Sequence, residues 1–225
     1  MTDKRLLCVA SMVREKARLA DIGTDHAHLP VYLLQQNRIV RAIAADIGEG
    51  PADAARRTVQ AAGLQDKVTV RVGDGLSVIS PEEVTDIVIA GMGGETIVHI
   101  LKQAPWLKKG QYRLVLQPMS KTVELRAWLY ENGFTIEEEH LVRDGRHLYC
   151  VMAACGGVTA TVSELDTYIG KLPFEEGKPY FEKQAQYLYS RAMGFSRAGD
   201  EETSNRYRTL GDELTAFIQS GGKTV

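Results

Sequence analysis

The sequence predicts an α/β fold, in which a mostly parallel sheet flanked by helices ends in an antiparallel hairpin and is followed by a coiled-coil-like helical extension. Three observations predict it. From Ala17 to about Ala154 short apolar strands alternate with amphipathic helices, the pattern that winds a parallel sheet with helices on both faces. FTIEEEHLV and RHLYCVMA are then joined through Asp144-Gly145, a hairpin-turn signal that makes this last pair antiparallel. Beyond Gly156-Gly157 the strand signal stops and apolar residues recur at helical spacing.

In order along the chain, the strand candidates are ARLADI (17–22), RAIAAD (41–46), KVTVRV (67–72), VTDIVIA (84–90) and YRLVLQ (112–117). Helical stretches lie between them. In PADAARRTVQAAG, Pro51 suits a first turn and Gly63 a C-terminal cap. After the hairpin come three apolar sets: Val162, Leu165, Ile169, Leu172; Phe181, Ala185, Leu188, Ala192, Phe195; and Tyr207, Leu210, Leu214, Phe217. The 3-4 alternation of the last two is that of a coiled-coil seam, so an antiparallel helical hairpin turning near Gly199 is expected. The expected domains are 1–155 and 156–225.

The composition bounds the function. A chain of 225 residues with 44% hydrophobic and 25% charged residues has the balance of a soluble globular protein. The N-terminus is interrupted by charge every few residues, which excludes a signal peptide or membrane span there, and a cytoplasmic location is expected. Cys8, Cys150 and Cys155 form no CxxC pair and no zinc spacing. A net charge of -2 announces no global attraction to nucleic acid, although a local patch is enough to touch a few phosphates. The first eighteen residues offer one, with Lys4, Arg5, Arg14, Lys16 and Arg18 against Asp3 and Glu15. A solvated helix face explains it equally well.

The chemistry gathers at the strand ends, which lie at the carboxyl edge where open α/β sheets bind ligands. The first strand runs into DIGTDHA, where Gly23 allows a tight turn and close backbone approach, with Asp21 just before it. In a dinucleotide fingerprint a second glycine admits the pyrophosphate; Asp25 stands at that place and would repel it. S-adenosylmethionine carries a sulfonium and an ammonium and no phosphate, so this loop favours it over NAD. Asp46, with Ile47 beside it, ends the second strand at the distance where an acidic side chain accepts from ribose hydroxyls; the alternative is a helix cap. Gly73, Asp74 and Gly75 form the third tip, where Asp74 can accept from an adenine amino group or cap a helix. In AGMGGETI, Gly91 and Met92 are candidate donor contacts, and Gly93 and Gly94 candidate substrate contacts through exposed backbone. Gln117 and Pro118, at the fifth tip, are candidate walls of a target pocket.

These segments together resemble the TrmK family of bacterial tRNA methyltransferases, which act at ring nitrogen 1 of adenine 22. The resemblance rests on DIGTDHAHLP at 21–30, ADIGEGP at 45–51, GDGL at 73–76, AGMGGETI at 90–97 and LQP at 116–118, and covers nearly the whole chain. Thr24 and His28 depart from the expected serine and from the expected tyrosine or leucine. The resemblance implies a Rossmann-like class I methyltransferase sheet, S-adenosylmethionine as cofactor and tRNA as partner, with no membrane; a monomer or weak dimer is expected.

The residues agree with that chemistry. Enzymes that methylate an exocyclic adenine amine carry an N/D-P-P-aromatic grip after the fourth strand, and this tip reads GMGGE instead. Ring nitrogen 1 already owns a lone pair and needs only alignment and exclusion of water. Asp25 is the candidate catalytic residue, accepting from the adenine amine and stabilising the positive charge that develops; helix capping or an ammonium contact is the alternative. His26 is a candidate base contact, and its HxH pairing with His28 is not read as a metal site because positions i and i+2 do not share a helix face. Arg14, and Arg191 among the cations of the helical hairpin (with Lys183, Arg197, Arg206 and Arg208), are candidate backbone contacts. Two other classes remain open: a small-molecule methyltransferase of the same fold, and a non-catalytic module that binds the same ligands.

Overall fold

The computed structural model describes residues 3–157 and 162–223. Its order is α1 (Lys4–Met12), β1 (Ala17–Ile22), α2 (His28–Gln35), β2 (Ile39–Asp46), α3 (Glu49–Ala61), β3 (Val68–Val72), β4 (Asp86–Gly93), α4 (Gly94–Lys102), β5 (Arg113–Ser120), α5 (Thr122–Glu131), β6 (Phe134–Asp144), β7 (His147–Gly156), α6 (Glu164–Ile169), α7 (Phe174–Arg197) and α8 (Glu201–Gln219). One sheet holds all seven strands in the order β3-β2-β1-β4-β5-β7-β6, parallel except for β7, which runs antiparallel to both neighbours.

The central strands are apolar on both faces because helices cover both. Ile87 and Ile89 of β4 pack with Ile97 and Leu101 of α4 and with Leu125 and Leu129 of α5. Val88, between them, turns to the opposite layer with Val9 of α1, Leu33 of α2 and Val59 of α3.

Several predicted boundaries move: β2 starts two residues early, at Ile39, and β4 two residues late, at Asp86. β4 and β5 each run three residues past the predicted strings, because the glycine-rich tip stays paired: Met92 lies opposite Pro118 and Gly93 opposite Ser120. Register shifts flank Met92, where proline lacks the N–H that a regular ladder needs. In the β6–β7 hairpin the two-residue turn is Gly145-Arg146, with Asp144 paired to His147; Gly145 takes the positive φ of +57° that such a turn demands at its first place.

α7 and α8 form the expected antiparallel hairpin, turning at Gly199, whose φ is +78°. Phe181, Ala185 and Leu188 meet Leu210, Leu214 and Phe217, and the buried Ser204 hydroxyl donates to the Ala192 carbonyl at 2.9 Å. The helices share their core with the sheet through Cys150 and Leu141 of β6–β7. Beneath that contact Arg126 of α5 and Glu139 of β6 form a fully buried ion pair at 3.0 Å. Arg126 also donates to the carbonyls of Thr167 and Tyr168 and to the Tyr180 hydroxyl, so one guanidinium ties α5, β6, α6 and α7 together. Among the described residues no helix is long and apolar enough to cross a membrane.

Candidate active site at the carboxyl edge

β1 and β4 are neighbours in the sheet, and their connections leave in opposite directions, β1 toward β2 and β4 toward β5. That switch point opens a crevice over the strand ends.

The β1 loop is latched to the sheet by backbone. Gly23 N–H and Thr24 N–H both donate to the Ala45 carbonyl, at 2.8 and 3.1 Å, and Gly23 takes a φ of +74°. A side chain at Gly23 would run into the Met92 methyl, so the β1 and β4 tips face each other here. Just ahead of α2 the Thr24 hydroxyl oxygen accepts from Ala27 N–H at 3.1 Å, and no side chain caps the helix. Asp25 therefore does not cap the helix. Its side chain is 85% exposed and touches His26 Nε2 at 3.5 Å. Asp21, four residues earlier, is buried. Burial pushes its carboxyl up to about 6, helped by the charge of Asp46 and opposed by a hydrogen bond from Thr24.

At the β2 tip Asp46 uses one carboxylate oxygen to accept from Gly48 N–H at 2.8 Å and is not the cap of α3, whose N-cap is Gly48. Its other oxygen has no partner among the described residues. Ile47 beside it is 71% exposed, an isolated apolar surface at the crevice rim. Gly73 N–H donates to the Asp46 carbonyl at 2.9 Å, which brings the β3 tip alongside. Asp74 is exposed and makes no capping bond; Gln103 Nε2 holds its carboxylate at 3.1 Å. Gly75, with φ +56°, is packed against the Gln103 side chain and Ile100.

The β4 tip is organised from below. Gly91 N–H donates to Gln117 Oε1 at 3.1 Å, and Arg5 Nη1 donates to the same oxygen at 2.9 Å. Gln117 is 1% exposed and Pro118 is also buried, so neither walls a pocket; the exposed side chains of this tip are Met119 and Ser120. Gly94 is likewise a packing position, since a Cβ there would strike the carbonyls of Ser120 and Lys121. Gly93, the N-cap of α4, keeps its place at the edge.

The carboxyl ends of β1 to β4 thus carry Asp21, Gly23, Asp25, His26, Asp46, Ile47, Gly73, Asp74, Gly75, Gly91, Met92 and Gly93 along one edge of the sheet. Arg14 is a correction: its guanidinium binds the buried Asp86 carboxylate at 2.8 and 2.9 Å at the start of β4, the opposite end of the strand. A buried carboxylate without that partner would be costly, and the arginine is committed to it. Arg191 lies on α7 with its guanidinium over the stacked rings of Phe195 and Tyr207, 4.9 and 5.6 Å from their centroids. Arg5, Thr24 and Gln103 were missed as supports. Arg5 showed only as one charge in a basic run, and nothing in a single sequence pairs Gln103 with Asp74. Among the described residues no three His, Cys, Asp or Glu side chains gather to hold a metal.

The donor set fits S-adenosylmethionine on structural grounds. Asp46 has a free carboxylate oxygen for a diol, Ile47 an apolar surface for a base, Asp21 a carboxyl whose charge a cation would stabilise, and the glycines permit close approach.

The chain matches the family model described as a methyltransferase domain over residues 2–152. It is 36% identical to the tRNA (adenine(22)-N(1))-methyltransferase of Bacillus subtilis (strain 168) over 221 residues, 94% of this chain and 93% of that protein. The crystal structure of the B. subtilis M1A22 tRNA methyltransferase TrmK superposes with a TM-score of 0.84 at 31% identity, covering 99% of each chain. A candidate tRNA (m1A22) methyltransferase of Streptococcus pneumoniae, solved in complex with S-adenosyl-L-methionine, superposes with a TM-score of 0.80 at 33% identity, covering 95% of this chain and 99% of that one.

Proposed function

The chain belongs to the TrmK family of tRNA (adenine(22)-N(1))-methyltransferases, and from that premise we propose that it methylates ring nitrogen 1 of adenine 22 in tRNA, with Asp25 as the carboxylate that meets the adenine. S-adenosylmethionine supplies the electrophilic methyl group when bound. Asp21, Gly23, Asp46, Ile47, Gly73, Asp74, Gly75, Gly91 and Met92 hold it, and His26 and Gly93 border the base. Residues 1–155 form the donor-binding domain and 156–225 the helical domain, and the enzyme works in the cytoplasm, where its tRNA is.

The observation that carries the role of Asp25 is its freedom. Thr24 accepts from Ala27 N–H, backbone bonds latch the loop and no side chain caps α2, so Asp25 is spared for another task and presents an exposed carboxylate beside His26. Ring nitrogen 1 of neutral adenine attacks with its own lone pair, so no base must first remove a proton. The base becomes cationic as the bond forms. A fixed carboxylate accepting from the adjacent amino group stabilises that charge as it develops, which is where electrostatic help lowers a barrier.

The test is methyl transfer from labelled donor to unmodified tRNA, with the modified position mapped. Asp25→Ala should lower kcat by about 100-fold or more while the donor dissociation constant stays within about twofold. Asp46→Ala should raise that constant. Absence of label at adenine 22 with the wild-type protein would sink the reading; full turnover by Asp25→Ala would remove the catalytic role alone.

A further inference from the structure

A second concavity lies on the substrate side of the strand ends. It measures about 470 Å³ and opens between the β5–α5 turn and the helical hairpin. Its near wall is Met119, Ser120 and Lys121; its far wall is Lys183 and Tyr187 of α7. Ser120 lies directly opposite Gly93 in the β4–β5 ladder, so the cleft begins where the proposed target pocket ends.

The chemistry of its lining is specific. Tyr187 is 50% exposed, an aromatic ring half in water on a helix whose other large apolar groups are mostly covered. Lys183, one helical turn earlier on the same face, is exposed and has no ion-pair partner among the described residues. Lys121 across the cleft is already paired with Glu124 at 3.1 Å, so Lys183 is the cation left to spend on a ligand. The floor does not yield. Tyr180 is bonded to the buried Arg126, and Tyr207 is stacked on Phe195 at 5.5 Å with the planes 6° apart.

We propose that this cleft binds a single unpaired nucleotide of the tRNA next to the target adenine, its base stacked on Tyr187 and its phosphate at Lys183. The inference rests on the tRNA reading above. A free aromatic face beside one unpaired cation is how proteins hold unstacked nucleotides, because every base offers a π-face and every nucleotide a phosphate. The volume falls within the roughly 300–1,000 Å³ of sites that enclose one small ligand. Gripping a neighbouring nucleotide would keep the strand from springing back into its stack while the adenine sits in the crevice.

The experiment uses the full chain with unmodified tRNA. Tyr187→Ala should raise the tRNA KM by about tenfold, and Tyr187→Phe should restore it, since stacking needs the ring and not the hydroxyl. Lys183→Ala should lower the slope of log affinity against log salt by about 0.7, the signature of one lost phosphate contact on a single strand. Donor affinity and melting temperature should not change in any of these. A Tyr187→Trp variant should lose fluorescence when tRNA binds, beyond any change in the wild-type protein. This readout needs no turnover and so separates the cleft from the catalytic assignment. Wild-type tRNA KM in both Tyr187→Ala and Lys183→Ala, or Tyr187→Trp emission indifferent to bound tRNA, would overturn the proposal.

Discussion

Lowering the pH toward 5.5 should make donor binding eject a proton, and Asp21 is its source. Burial holds this carboxyl at about 6 in the free protein, against roughly 3.9 in an unfolded chain. The neutral form is therefore the one the fold prefers. Between those two values the folded chain keeps a proton that the unfolded chain has lost, so this group's contribution to stability is present below about pH 4 and is lost as pH rises through 6. At neutral pH the charged carboxylate costs about 3 kcal/mol. A bound sulfonium and ammonium reverse the preference. At pH 5.5 about three quarters of Asp21 carries its proton, and a complex that draws its pKa back down releases up to that fraction of a proton. At pH 7.5 the release falls to nearly zero. Calorimetric titration at pH 5.5 in two buffers of different ionisation enthalpy reads this number directly. Asp21→Asn should abolish the release and weaken donor binding, yet raise the melting temperature of the free protein at pH 7.5. Heats that do not depend on the buffer at pH 5.5, or an unchanged release from Asp21→Asn, would refute the argument.

Three other substitutions test the framework. Arg126→Met strands the buried Glu139 carboxylate and should cost about 3–5 kcal/mol in denaturant unfolding, far more than an exposed arginine would. Gly94→Ala drives a methyl into the Ser120 and Lys121 carbonyls and should lower stability by about 1–3 kcal/mol, visible as a reduced melting temperature. Gln117→Leu takes the acceptor from both Gly91 N–H and Arg5; it should cost about 0.5–1.5 kcal/mol per lost hydrogen bond and lower kcat/KM on tRNA, because the β4 tip loses its brace.

The fold was legible wherever one local pattern decided the outcome. ARLADI is β1 residue for residue, and the 3-4 spacing of Phe181 to Ala192 is the seam of the helical hairpin. The placement of the candidate site was legible where strand ends and glycines coincide, since a strand end puts its last residues at the sheet edge whatever lies elsewhere. Reading stopped at partners distant in sequence. Arg14 looked like a free cation because its carboxylate, Asp86, is 72 residues away. Gln117 looked like a pocket wall because its strand end had the right address, while its side chain turns inward to Gly91 and Arg5. Arg126 carried one usable signal, a charge set inside the apolar run LRAWL, and even that does not name Glu139 as its partner.

In the proposed function, Asp21 and Asp25 let a single loop hold a donor and meet a substrate without the two tasks interfering. The carboxyls are four residues apart, one buried and the other 85% exposed. Thr24 separates them. Its hydroxyl accepts from Ala27 N–H and its hydrogen bond favours the charged form of Asp21, so one side chain fixes the turn before α2 and tempers the buried acid. With Gly23 and Thr24 latched to Ala45, the loop meets its polar needs without calling on Asp25. A carboxylate excused from structure can be aimed at a reaction, and it costs little while it waits because water solvates it. When an adenine displaces that water, the same charge acts through a lower dielectric and its hold on a cationic base grows. Replacing Thr24 with valine should therefore disturb both functions at once, donor affinity through Asp21 and turnover through the tilt of Asp25, where either aspartate variant alone disturbs mainly one.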